Sequence, residues 1–235
     1  MRLARDAIGE ATYDRENTAL RTAAHRISAP RDAQVLLESL DGLTERFADE
    51  LPDGATANLR TRLEEEQEAA TAELRGGDDN GVIAATLATI DHALARTTPW
   101  TFERDGFEAL SPGLHRIYRR GRTAMKAARR DPSAEHLHEW RKRVKDLWHA
   151  TEIVGAARPK ELERLADRAH SLSSRLGDHH DLHLLRSYVE AHPQCFDDEV
   201  HHRALLAVID RRSRRLCEKA LAQGARSTSA SPSAS

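Results

Sequence analysis

The chain has 235 residues, 39% of them hydrophobic but only 4% aromatic, with 36 Lys or Arg set against 38 Asp or Glu. That length can bury a substantial core, as one large domain or two small ones. No apolar run approaches the roughly 18 residues of a membrane span, which excludes a helical membrane protein. Cys195 and Cys217 fit no zinc or redox spacing. With no hydrophobic leader ahead of them, a reduced, cytoplasmic setting is the expectation.

Helical periodicity dominates and β-branched alternation is scarce, so the chain reads as all-α. Helices are predicted near 2–8, 12–27, 31–50, 55–75 and 82–96, the last two separated by the turn Gly76-Gly77-Asp78-Asp79-Asn80-Gly81. A helix near 112–130 follows, with Ser111 as N-cap and Pro112 at the first helical position. Asp131-Pro132-Ser133 breaks the periodicity before a helix near 134–154, so these two should form an antiparallel hairpin. Helices near 159–175, 179–191 and 197–222 complete a domain over 1–223. Residues 224–235, rich in Ser and Ala, hold too little apolar surface to offset ordering entropy and are expected to form a disordered tail.

The net charge of -2 hides a segregation. Residues 114–149 hold eleven Lys or Arg against four acids, whereas residues 38–108 hold seventeen acids against six bases. Only the first region would attract an anionic partner. On the helix near 134–154, Leu137, Trp140, Val144, Leu147, Trp148 and Thr151 share an apolar stripe, while His138, Lys142, Lys145 and His149 line the opposite side, with Arg141 at the margin. The preceding helix repeats this: Leu114, Ile117, Gly121, Ala124, Met125 and Ala128 face one way, and His115, Arg119, Arg122, Lys126 and Arg129 the other. Lys160, Arg164, Arg168 and Arg175 offer a third row. Such a row rises roughly 16 Å at about 1.5 Å per residue, enough to follow several charges on a linear anion. The competing explanation is that each row is a solvated face neutralised by intrahelical ion pairs.

An internal repeat is also legible. Ala24-His25-Arg26-Ile27-Ser28, followed by Arg31-Asp32, echoes Ala169-His170-Ser171-Leu172-Ser173, followed by His180-Asp181. The offset of the first segment sets Leu3 against Leu147, so the partner of the His138–Lys145 motif would precede residue 1. The expectation is two halves, about 1–110 and 111–223, the first lacking the start of its opening helix, with a native start upstream of Met1 favoured. Asp32 and Asp181 occupy equivalent positions that suit capping or arginine pairing rather than catalysis. His138 and His170 fit either ligand or structural roles. His179 and His183 stand one turn apart, as two metal ligands could, but spacing fixes no third.

Tyr118-Arg119-Arg120-Gly121-Arg122, His138-Glu139-Trp140-Arg141-Lys142-Arg143-Val144-Lys145, Leu176-Gly177-Asp178-His179-His180-Asp181, Arg15-Glu16-Asn17 and Arg31-Asp32 together resemble the CHAD family, the conserved histidine α-helical domain. The resemblance implies two pseudo-symmetric helical bundles around a basic central cavity and non-catalytic binding of inorganic polyphosphate, often at polyphosphate granules, with no cofactor or metal. On that reading Arg119, Arg122, Lys126, His138, Arg141, Lys142 and Lys145 form the centre of the site, with Arg21, Arg26, Arg31, Arg164, Arg168 and Arg175 around it. The triphosphate-tunnel domain to which such domains are often fused has alternating glutamates before a lysine, and Glu64-Glu65-Glu66-Gln67-Glu68 does not meet that pattern. No phosphate-binding glycine loop or serine-nucleophile elbow occurs, so no enzyme is expected. The rival function is nucleic-acid or general polyanion binding, and a metal-dependent phosphohydrolase is a weaker third.

Overall fold

The computed structural model describes residues 1–76, 81–155 and 159–228. Among these every regular element is helical: α1 Arg5–Ile8, α2 Glu10–Arg26, α3 Ala29–Arg46, α4 Ala57–Arg75, α5 Val82–Ala95, α6 Gly106–Arg130, α7 Ala134–Gly155, α8 Pro159–Ala191 and α9 Glu199–Thr228, with a single 3-10 turn at Pro193–Cys195. The chain forms two compact units. One comprises Met1–Gly9, Phe102–His180 and the described residues from Arg212 onward; the other comprises Glu10–Thr101 and Asp181–Arg211. α8 and α9 each contribute to both units.

In the first unit, α6 and α7 pack along each other as a hairpin closed by residues 131–133. The expected apolar stripes are buried: Leu114, Ile117, Ala124, Met125 and Ala128 from α6 meet Leu137, Trp140, Val144 and Leu147 from α7. Ala169, Leu172 and Leu176 of α8 and Ala220 of α9 complete this core. Trp148 departs from expectation, being only half-buried at the margin, where its ring lies 4.6 Å from that of His149 and 4.3 Å from that of His170. The segment before α1 docks on α6 through buried Leu3. Here Gly113 is needed, since a Cβ there would stand 1.9 Å from the Leu3 carbonyl oxygen.

Three predicted boundaries are corrected. α6 begins at Gly106, not Pro112, because Phe107 and Leu110 extend the apolar stripe one more turn and pack on the core; that burial outweighs the hydrogen bond Pro112 cannot donate. The predicted break between 175 and 179 is absent. Leu176 is 1% exposed on the stripe that also buries Ala169, Leu172 and His179, so packing overrides the helix cost of Gly177. α9 continues to Thr228, into the region expected to be disordered, because Gly224 is buried against the Trp140 ring. The remainder of that tail and residues 77–80 of the glycine-rich turn lie outside the described residues.

In the second unit, α2 packs with α5 and α3 with α4. Leu37, Leu40 and Leu43 of α3 and Leu59 and Leu63 of α4 are buried at helical spacing. A polar junction joins α2 to the end of α5. The Glu16 carboxylate, fully buried, accepts from Arg96 Nε at 2.7 Å and Nη2 at 2.6 Å, and from Arg15 Nε at 2.9 Å. The Arg96 hydrogen bonds outweigh the cost of burial and hold this carboxyl at about 2, well below its ordinary 4.5. Tyr188 of α8 donates to Glu66 at 2.7 Å and accepts from Arg62 at 3.0 Å, joining α8 to α4.

Candidate functional site

The two-helix hairpin of the first unit positions the cationic rows. Because its apolar stripe is buried, α6 must turn its opposite side outward, and His115, Arg119, Lys126 and Arg129 are exposed, with Arg122 half-buried. On α7, Lys142, Lys145 and His149 are exposed, while His138 and Arg141 are half-buried.

The rows differ in how far the protein neutralises them. Arg119, Arg122, Lys126 and Arg129 have no carboxylate partner among the described residues, and the same holds for Arg141 and Lys145 of α7. Lys142, by contrast, contacts Glu139 at 2.6 Å, and His149 contacts Glu152 at 3.1 Å. Glu139 also receives Arg143 at 2.6 Å. Partial burial opposes its ionisation, but the hydrogen bonds from Lys142 and Arg143 prevail and its carboxyl lies below the usual range. The intrahelical pairing expected of an ordinary solvated face therefore accounts for part of α7 and for none of the α6 row. In the second unit Arg15, Arg60, Arg62, Arg96, Arg186, Arg203 and Arg211 all engage carboxylates.

At the inner edge of the α7 row, His138 Nδ1 lies 3.2 Å from His180 Nδ1 of α8, and the ring centroids are 4.3 Å apart. This bond needs one donor and one acceptor, so one ring carries a proton on Nδ1 while the other presents a bare Nδ1. The Nε atom of Arg141 is buried without a hydrogen-bond partner, and a Cβ on Gly177 would meet it at 3.7 Å. His138, Arg141, Gly177 and His180 thus converge where α7 meets α8. The sequence placed His180 in the repeat and in the Leu176–Asp181 motif without a role; its part in orienting His138 depends on helix packing that no spacing reveals.

Among the surrounding candidates, Arg164 and Arg168 are exposed on α8, and Arg175 donates to Gln223 of α9. The side chain of Lys160 lies outside the described residues. Arg21 and Arg26 are exposed on α2, and Arg31 at the start of α3 is 3.6 Å from Glu38; all three belong to the second unit. Asp32 is exposed near the start of α3. No three His, Cys, Asp or Glu side chains converge as a metal centre among the described residues. No helix there is long and apolar enough to cross a membrane.

Fold and surface together define an all-α protein whose helical hairpin exposes two rows of cations, the α6 row without a carboxylate partner among the described residues and the α7 row partly paired. The chain belongs to the CHAD domain family, whose sequence model matches residues 1–190. No curated protein and no solved structure matches the chain.

Proposed function

We propose that this protein binds inorganic polyphosphate without transforming it, using the cationic faces of α6 and α7. The observation that carries the reading is the α6 row: Arg119, Arg122, Lys126 and Arg129 follow one line on the helix, opposite its buried stripe, with no described carboxylate to neutralise them. Membership of a family associated with polyphosphate binding supports the same ligand. Polyphosphate offers closely spaced charges and no bases or apolar handles, so its receptor needs guanidinium groups that bridge oxygens and lysines that act as movable point charges. His138, held by His180, and Arg141 extend the contact at the inner edge of α7. Arg164, Arg168 and Arg175 of α8, in the same unit, act around it. The reading implies a cytoplasmic protein found at polyphosphate granules.

The test is equilibrium binding of long-chain polyphosphate to the purified chain and to the Arg119→Glu/Lys126→Glu variant. Both side chains are exposed, so circular dichroism should be unchanged while affinity falls at least about tenfold, since two phosphate contacts become repulsions. Undiminished affinity would mean that another face binds. Incubation with Mg, Mn or Zn should release no phosphate; release would replace binding by a metal-dependent phosphohydrolase.

A further inference from the structure

α5 is inverted relative to an ordinary surface helix. Its buried residues are Thr86 and Ala93, whereas Ile83, Leu87, Ile90 and Leu94 are 46%, 55%, 43% and 66% exposed. Their spacing of four, three and four residues is that of a coiled-coil seam, with all four side chains within about 40° of one line. Ala84 and Asp91 flank the seam on one side, and Thr86 and Ala93 on the other, so three of the four flanking positions are small and uncharged.

We propose that this seam is the contact between two copies of the chain, paired through antiparallel α5 helices about a two-fold axis. Self-association is favoured because the seam is self-complementary in this orientation. Reversing one copy sets Ile83 against the partner's Leu94 and Leu87 against the partner's Ile90. It also sets Asp91, the only carboxylate of the helix, toward the partner's Ala84 rather than the partner's Asp91, so no like charges meet. On the flank that does not face the chain's own core, the small Ala84 lets the helix axes approach closely. A foreign cationic helix would find only Asp91 on α5 itself to pair with.

The area limits the strength of the contact. Four side chains with these exposures offer roughly 400 Å² of apolar surface, against ~800 Å² per partner in a standard stable interface. The dimer is therefore weak and reversible, and is to be sought at protein concentrations of about 1–100 μM. The proposal does not depend on polyphosphate, because the residues involved lie on a different helix from both cationic rows.

Sedimentation velocity over that concentration range tests it, using the intact chain and two variants, Leu87→Glu/Leu94→Glu and the milder Leu94→Gln. The parent chain should pass from monomer to dimer, the double variant should stay monomeric, and Leu94→Gln should weaken the dimer at least about threefold with its thermal melt unchanged. The single variant also decides the question should the double variant fail to fold. A parent chain that remains monomeric throughout, a dimer indifferent to Leu94→Gln, or assembly beyond two copies would overturn the proposal.

Discussion

Glu16 shows how a single charged residue can be both buried and stabilising. Its carboxylate is fully enclosed, yet Arg96 meets both oxygens and Arg15 one of them. Because its carboxyl is held at about 2, below the ordinary 4.5, its contribution is complete above about pH 4.5 and is lost as pH falls toward 2. Arg96→Ala leaves the carboxylate with Arg15 alone, so Glu16 should protonate at higher pH. Thermal melts should show destabilisation at neutral pH and an acid limb moved upward. Arg15-Glu16-Asn17 was legible as a motif, but not this arrangement, because Arg96 is 80 residues away. The helical glycines divide similarly. Gly113→Ala drives a Cβ into the backbone at Leu3 and should cost about 2 kcal/mol as Leu3 is displaced. Gly177→Ala meets only ordinary contact with Arg141 and should be neutral, or stabilising by up to about 1 kcal/mol, in chemical denaturation.

Among the elements, α6 and α7 were the most legible, because each carries a long apolar stripe that leaves the cations only one direction to point. Helix starts and stops were less so. Pro112 and Gly177 are local break signals, and both lost to the burial of neighbouring side chains, Phe107 and Leu110 in one case and Leu176 in the other. The sequence also made the two cationic rows look equivalent, whereas side-chain pairing separates them. Lys142 already has Glu139, so an anion must compete with that carboxylate, while Lys126 has no described competitor. Lys126→Ala should therefore weaken polyphosphate binding more than Lys142→Ala, and should lower the slope of log affinity against log salt by about one. Equal losses would show that the Glu139 contact does not matter once ligand binds.

At the scale of the molecule, charge and contact divide the chain differently from its sequence repeat. The acid surplus of residues 38–108 is largely housed in the unit of α2–α5, where Arg15, Arg60, Arg62 and Arg96 are engaged in ion pairs, while the cations of 114–149 belong to the unit of α6 and α7. Composition revealed this polarity. It did not reveal that α8 and α9 each serve both units, because one helix stripe that changes neighbours midway reads like any other amphipathic stripe. The same segregation explains how a chain of net charge -2 can offer a surface to a polyanion. Any such surface binds by counterion release, so salt sensitivity alone does not identify the ligand. Selectivity depends on what accompanies the charge. Single-stranded nucleic acid favours stacking platforms, and Trp140 is buried, while Trp148 is half-covered by His149 and His170.

The central claim is tested most directly by equilibrium binding of long-chain polyphosphate at near-physiological salt, with equal charge of single-stranded DNA, double-stranded DNA and heparin as competitors. The account predicts tight binding that none of the three displaces at equal charge. Displacement by DNA or heparin as effective as by unlabelled polyphosphate would contradict it and leave the α6 and α7 rows as a general polyanion surface.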